Sequence, residues 1–253
     1  LRTVKKKRLD ERLFEKKISS SRQRCQALIL SGKVLVNNQP VDKPGAVVSV
    51  HDEISIKGQD LVYVSRGGIK LEHALHQLDI DVQGLTCLDV GASTGGFTDC
   101  LLQFGAAHVF AVDVGYGQLA WKLRNDPHVT VIERTNIRYL SDDALPLPVD
   151  LVTIDVSFIS LKIVVPSILK FLKARSRILA LIKPQFEVGK GKVGKGGIIR
   201  DPNLQKNVID NMTDFFTSEG LYCETVLPSP ILGAKGNKEF MISLRYGTAN
   251  SRS

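Results

Sequence analysis

Four polar side chains stand where apolar stretches of the 253-residue chain begin or end. Lys70 follows Ser65-Arg66-Gly67-Gly68-Ile69 at the head of a helical stretch. Asp155 follows the apolar run Leu151–Ile154, Lys183 follows Ile178–Ile182, and Glu239 opens the last apolar run in Lys238-Glu239-Phe240. Two lysines and two carboxylates can together draw the proton from a weakly acidic hydroxyl. A lysine acts as a base only if burial or a neighbouring positive charge brings its proton affinity down from the ordinary value of about 10.4. A second lysine supplies such a charge, and carboxylates orient the pair. Any one of the four alone reads as a solvated residue at the end of a strand; the set gains meaning only if the fold brings it together.

A second constellation is the phrase Leu88-Asp89-Val90-Gly91-Ala92-Ser93-Thr94-Gly95-Gly96-Phe97. Glycines here let the backbone approach a ligand and turn sharply from a strand into a helix. The dinucleotide fingerprint wants glycine at a first, third and sixth position. This chain has Gly91, then Ser93, then Gly95-Gly96, which disfavours a nicotinamide enzyme. Asp113, at the end of the next apolar run, is placed to hold a ribose diol. The expected cofactor contacts are Asp89, Gly91, Ser93, Gly95, Gly96, Phe97, Asp113, Asn136 and Asp155. Gly189, Gly194 and Lys195 imitate part of a phosphate loop. Gly196 replaces its hydroxyl residue and no helix immediately follows, so the stretch reads instead as a mobile basic loop beside Lys183.

The elements that must position these residues alternate. Apolar runs at Cys87–Val90, Val109–Val112, Val129–Ile132, Leu151–Ile154 and Ile178–Ile182 are separated by helical stretches such as Phe97–Gln103 and Leu161–Leu172. That is the pattern of a doubly wound parallel sheet, an α/β fold of Rossmann-like type. Ligands gather at the carboxyl ends of its strands, where Asp155 and Lys183 are both expected. A final pair, Leu221–Leu227 and Glu239–Leu244, reads as a closing hairpin.

The first quarter differs. From Leu1 to Lys57 there are 13 Lys and Arg against 6 Asp and Glu, so nearly all of the net charge of +8 lies there. Such asymmetry points to a polyanion partner. Arg8–Lys17 reads as a short helix. Ser19, Ser20 or Ser21 is expected to cap a second helix carrying Arg22 and Arg24, which Gly32 ends. Short strands follow from Val34 to Ile56, with a turn at Asn37-Asn38. This small α+β order, with Arg8-Leu9-Asp10, Ser21-Arg22 and Gly32-Lys33-Val34-Leu35-Val36-Asn37, resembles the S-four RNA-binding domain. The resemblance implies a grip on structured RNA through phosphate and shape.

Composition excludes other classes. With 43% hydrophobic and 24% charged residues the chain is an ordinary globular one, and no apolar run reaches the roughly 18 residues of a membrane span. No secretory signal is apparent, and the four scattered cysteines suit a reducing, cytoplasmic location. Neither the cysteines nor the five dispersed histidines form a metal motif, so no metal is expected.

The Asp89-x-Gly91-x-x-x-Gly95-Gly96 phrase resembles motif I of class I methyltransferases, whose loop holds S-adenosyl-L-methionine. Enzymes that methylate exocyclic amines usually carry a Pro-Pro-aromatic phrase where this chain has Val156-Ser157-Phe158. The order Lys70, Asp155, Lys183, Glu239 is that of ribose 2′-O-methyltransferases of the FtsJ/RrmJ type. Together with Asp113-Val114-Gly115-Tyr116-Gly117-Gln118-Leu119 and Lys183-Pro184-Gln185-Phe186-Glu187, these phrases resemble the TlyA (hemolysin-A-type) family of ribosomal RNA methyltransferases. The resemblance implies catalysis by Lys70, Asp155, Lys183 and Glu239 on a cytidine ribose of ribosomal RNA or ribosomal subunits. No membrane and no obligate protein partner is expected. The expected RNA contacts are Arg8, Arg22, Arg24, Lys33, Arg66, Arg134, Arg138 and Lys190. The expected organisation is an RNA-binding domain over 1–57, a linker over 58–68, a methyltransferase domain over 69–246 and a disordered tail over 247–253. An RNA-binding protein with an inactive methyltransferase fold, and a cytolytic protein, are the alternatives.

Overall fold

The computed structural model describes residues 6–16, 18, 21–37, 39–49, 52, 54–56, 62–189, 193–233 and 236–247. The chain forms two compact units, the second starting at Val62.

In the first unit β1 (Lys6–Arg8) runs into α1 (Leu9–Glu15). Then follow α2 (Arg22–Leu30), β2 (Val34–Val36), β3 (Gln39–Pro40), β4 (Val47–Ser49) and β5 (Ile54–Ile56). β1 pairs with β4, and β2 lies between β3 and β5, all antiparallel. Leu9 and Leu13 of α1 meet Cys25, Leu28 and Ile29 of α2 at helical spacing, and Val34 and Val48 close the core. The first helix is shorter than its sequence suggests, because Arg8 is held in the β1 ladder. Ser21 caps α2, its hydroxyl accepting from Arg24 N at 3.2 Å, and Gly32 follows the helix at a φ of 66°. Lys17, Ser19, Ser20 and Asn38 lie outside the described residues.

Asp10 is fully buried in this unit. It accepts from Arg8 Nε at 3.0 Å, Arg22 Nε at 3.2 Å and Gln26 Nε2 at 2.8 Å. The Arg8 hydrogen bonds above all hold its carboxyl well below the usual carboxylate range. Arg8 and Arg22 therefore have a structural duty that the sequence did not announce. Their side chains remain 47% and 46% exposed, so part of each guanidinium still faces outward.

The second unit contains α3 (Gly67–Gln77), β6 (Thr86–Val90), α4 (Gly96–Gln103), β7 (His108–Val112), α5 (Trp121–Arg124) and β8 (Val129–Ile132). It continues with β9 (Val149–Ile154), α6 (Leu161–Ile168), β10 (Leu172–Ile182), α7 (Pro184–Glu187), α8 (Pro202–Ser218), β11 (Tyr222–Pro228) and β12 (Phe240–Arg245). The strands form one sheet in the order β11-β12-β10-β9-β6-β7-β8. β8, β7, β6, β9 and β10 are parallel; β12 is antiparallel to both its neighbours.

Alternation along the strands fills both faces. Leu88, Phe110, Val152, Ala180 and Ile242 point to a core shared with α6 and α8, while Cys87, Val109, Leu151, Leu179 and Met241 point to one shared with α3 and α4. This burial on two sides explains why the strands read as unbroken apolar runs. Chain order reverses between β6 and β9, the switch point at which such sheets open a crevice at the carboxyl ends of their strands.

Three boundaries differ from the sequence reading. Residues 62–68 pack into the second unit: Tyr63 is buried beneath Gly68, and Asp99 accepts from Val64 N at 2.8 Å. The helix expected to reach Leu172 ends at Ile168. Pro166 removes one of its hydrogen bonds, and β10 begins at Leu172. The 17-residue α8, announced by an Asp201 cap and Pro202, had no counterpart in the sequence reading. Residues 58–61 and 248–253 lie outside the described residues. No helix among the described residues is long and apolar enough to cross a membrane.

Asp89, fully buried in β6, accepts from Thr98 Oγ1 at 2.6 Å and Thr153 Oγ1 at 3.1 Å, and ties α4 and β9 to β6. Burial pushes its carboxyl up to about 6 from 3.8. The folded chain therefore keeps a proton on Asp89 that the unfolded chain has released between those two values. Stability conferred by this residue should fall as pH rises through that window. Asp89→Asn should flatten that part of the profile, measured as the difference between wild-type and variant urea midpoints from pH 4 to 7.

Candidate active site

Gly91 follows β6 and Asp155 follows β9, side by side at the switch point. Gly91 has a φ of 83°, and a Cβ there would lie 2.8 Å from the Asp155 carbonyl oxygen. Asp155 N donates to Val90 O at 3.0 Å. The glycine thus allows the loop carrying Asp155 to close against the end of the first parallel strand.

Around Asp155 the four dispersed polar residues converge. Lys183, immediately after β10, is 8% exposed. Its Nζ forms an ion pair with Asp155 Oδ1 at 2.6 Å and donates a hydrogen bond to Ser157 Oγ at 2.9 Å. Lys70, in α3, donates to Glu239 Oε2 at 2.6 Å and lies 3.8 Å from Asp155 Oδ2. Glu239, just before β12, is 4% exposed. The result is a continuous polar chain, Glu239–Lys70–Asp155–Lys183–Ser157, with cations and carboxylates alternating. Buried charges are tolerated only when matched in this way.

The loop before Glu239 is shaped to hold it. A Cβ on Gly233 would overlap the Glu239 carboxylate, and Arg66 Nη2 donates to Leu232 O at 2.7 Å. Asn237, also buried, donates to Gly197 O and accepts from Ile199 N, each at 2.9 Å. Arg66, expected at the RNA, has this intramolecular partner.

A cleft of about 520 Å³ opens beside Asp155, lined among others by Gly91, Ser93, Asp113, Asn136 and Asp155. Asp113 is anchored by two backbone donors, Ser93 N to Oδ2 and Gly115 N to Oδ1, each at 2.7 Å. Both oxygens retain acceptor capacity for the hydroxyls of a ligand. Val112, Val114, Ile137, Val156 and Ile159 give the cleft apolar walls. A small-molecule site of this size, apolar with a few convergent polar groups, suits a nucleoside.

The other four expected cofactor contacts, Asp89, Gly95, Gly96 and Phe97, are buried and do not line this cleft. Asp89 is fully buried between threonines. Gly95, at a φ of 97°, is needed because Leu119 and Leu123 occupy the space of its missing Cβ. Gly96 lies against Ser65 and the backbone of Gly67 and Gly68, and Phe97 is buried in the core between α3 and α4. Each of the four thus has a packing partner within the fold.

Sequence reasoning quoted Val156-Ser157-Phe158 only as a departure from the Pro-Pro-aromatic phrase and gave Ser157 and Phe158 no role, although they stand two and three residues after Asp155. Phe158 is 90% exposed, has a φ of 65°, and its ring tilts against Phe186 at 5.0 Å between centroids. An exposed bulky residue in that conformation is uncommon and marks a site where geometry serves something other than packing. Gln118 and Thr135, which also line the cleft, were missed too. Arg134 stacks on Tyr116 at 4.0 Å and Arg138 on Tyr139 at 5.1 Å, with both tyrosines exposed. Arg24 and Lys33 are exposed on the first unit, and Lys190 lies outside the described residues.

Residues 63–246 match the family model of FtsJ-like methyltransferases, and residues 7–54 match that of the S4 domain. The chain is 45% identical over 246 residues to the 16S/23S rRNA (cytidine-2'-O)-methyltransferase TlyA of Mycobacterium tuberculosis, covering 97% of this chain and 92% of that protein. It is 42% identical over 238 residues to Hemolysin A of Brachyspira hyodysenteriae, covering 92% and 98%. A solved structure of a hemolysin-named protein from Streptococcus thermophilus aligns with a TM-score of 0.74 at 39% identity, over 97% of this chain and 90% of that one. With these two domains in this order and relatives matched over nearly their full length, the chain belongs to the TlyA (hemolysin-A-type) family of FtsJ-like methyltransferases.

Proposed function

We propose that this chain transfers a methyl group from S-adenosyl-L-methionine to the 2′-hydroxyl of a cytidine ribose in ribosomal RNA, in the cytoplasm. The observation that carries this reading is the alternating Glu239–Lys70–Asp155–Lys183 chain ending beside a nucleoside-sized cleft. A hydroxyl needs a base, whereas an exocyclic amine does not need two lysines. When bound, the cofactor supplies an already activated methyl on a sulfonium. Asp113 and Asn136 hold its adenosine part, and Gly91 and Ser93 let the backbone approach it. Asp155 orients Lys183, while Lys70, neutralised by Glu239, fixes the far side of Asp155. Lys183 is the final acceptor of the 2′ proton. The basic first unit adds affinity for folded RNA without chemistry, through exposed Arg24 and Lys33 and the outward parts of Arg8 and Arg22. The test is mapping of ribose methylation on ribosomal RNA from cells with and without this protein; an unchanged pattern refutes the proposal.

Two expectations attach to the cleft. Asp113→Ala should weaken cofactor binding by about 1–3 kcal/mol, the scale of a lost charged hydrogen bond, when measured by calorimetry. Phe158 offers an open aromatic face to an unstacked base. Phe158→Ala should weaken binding of target RNA by about 1–3 kcal/mol, the worth of one base–aromatic stack, while leaving cofactor affinity nearly unchanged. Equal loss of both affinities would mean that Phe158 shapes the cleft instead of meeting the RNA.

A further inference from the structure

Lys183 is buried and does not line the cleft, and neither do Lys70 or Glu239; Ser157 is exposed and does. The Lys183 ammonium pairs with Asp155 Oδ1 at 2.6 Å and donates a hydrogen bond to Ser157 Oγ at 2.9 Å. The serine oxygen accepts from the lysine, and its own O–H finds no acceptor among the described residues. A hydroxyl thus stands at the cleft surface in front of the buried amine, hydrogen-bonded to the amine on one side and open to the cleft on the other. A hydroxyl can donate and accept at once, which suits this place.

We propose that Ser157 relays the proton from the target 2′-hydroxyl to Lys183. The inference rests on the ribose-methylation reading and adds to it a catalytic residue beyond the two lysines and two carboxylates. The step begins once Lys183 has given one ammonium proton to solvent; the Ser157 O–H then turns toward Lys183 Nζ and its lone pairs face the cleft. The target oxygen bonds to the methyl carbon as the sulfur–methyl bond breaks, the bonding pair staying on sulfur. The 2′ proton passes to Ser157 Oγ while the Ser157 proton passes to Lys183 Nζ. The serine ends neutral and the lysine ends as an ammonium facing Asp155. The positive charge that leaves sulfur reappears where a carboxylate already waits, so little charge separation accumulates.

The experiment is single-turnover methylation at saturating cofactor and RNA by Ser157→Ala and Ser157→Thr, in mixtures of light and heavy water. Dissociation constants for cofactor and RNA are measured separately. Ser157→Ala should slow the step roughly 10²-fold, the low end for loss of positioned proton transfer. Its two dissociation constants should stay close to wild type. Ser157→Thr, which keeps the hydroxyl, should recover most of the rate. The dependence of rate on deuterium fraction should be curved for wild type, with two protons in flight, and linear for the alanine variant. An alanine variant as fast as wild type, a threonine variant as slow as alanine, or a defect confined to cofactor affinity would overturn the relay. If wild-type protein methylates no ribose, the underlying reading fails; if it does and Ser157→Ala matches it, only the relay fails.

Discussion

Lys183→Ala is expected to cut single-turnover methylation by roughly 10²–10⁴-fold, the usual scale for loss of a general base. Lys183 lies at the end of β10 against Asp155 Oδ1, and the Ser157 hydroxyl connects it to the cleft. Lys183→Arg should not restore activity, because a guanidinium does not give up its proton at working pH. It also needs more room than a buried ammonium packed between Asp155 and Ser157. Cofactor affinity should change little, since Asp113, Asn136 and Gly91 line the cleft and Lys183 does not. The competing role for Lys183 is a phosphate contact. In that case Arg should substitute well, and RNA affinity should fall together with rate. Measuring both variants with saturating RNA, and RNA affinity separately, separates the two roles; an active arginine variant would remove Lys183 from proton transfer.

The convergence of Lys70, Asp155, Lys183 and Glu239 was legible because each sits at the end of an apolar run, and a parallel sheet gathers such ends on one rim. The glycine-rich phrase was legible only in part. Gly91 and Gly95 share a positive φ, yet one makes room for the Asp155 loop and the other for Leu119 and Leu123. Nothing in a one-dimensional pattern distinguishes a glycine that admits a ligand from one that admits a neighbouring helix. Asp89 illustrates the same limit. An acid at a strand end reads as a ligand contact; the fold adds that its strand is interior to the sheet and that its side chain bonds threonines on two neighbouring elements. Arg8 and Arg22 were read as polyanion contacts from charge alone. Only the fold shows that Asp10, at 0% exposure, draws them inward. Ser157 and Phe158 were noted only for not being a Pro-Pro-aromatic phrase, and received no role, because neither residue type is unusual in a loop. Their significance comes from the amine behind one and the exposure of the other.

Gly91→Ala should be the most damaging small substitution on the cleft wall, and its effect should be separable from backbone strain. At a φ of 83° an L-residue is strained, and the new Cβ would lie 2.8 Å from the Asp155 carbonyl oxygen and 3.1 Å from Val156 Cγ1. Strain at such a position costs about 1–3 kcal/mol, so the protein should fold with a lower denaturation midpoint. The larger consequence is displacement. The Cβ can be accommodated only by moving the segment that carries Asp155 and Ser157 away from β6, and Lys183 is held by both. A shift approaching 1 Å there should reduce turnover by about 10²-fold. Cofactor affinity should fall as well, since Gly91 and Asp155 share the cleft wall. Gly84→Ala is the control. Gly84 has a φ of 73° but no atom within 4 Å of a Cβ, and it precedes the amino end of β6, remote from the cleft. It should lose comparable stability and keep its turnover. If Gly84→Ala and Gly91→Ala lose activity in equal proportion, the close approach of the Asp155 loop to Gly91 plays no part in holding the site. If only Gly91→Ala loses turnover while both lose stability, that close approach is what ties the glycine loop to the lysine–carboxylate chain.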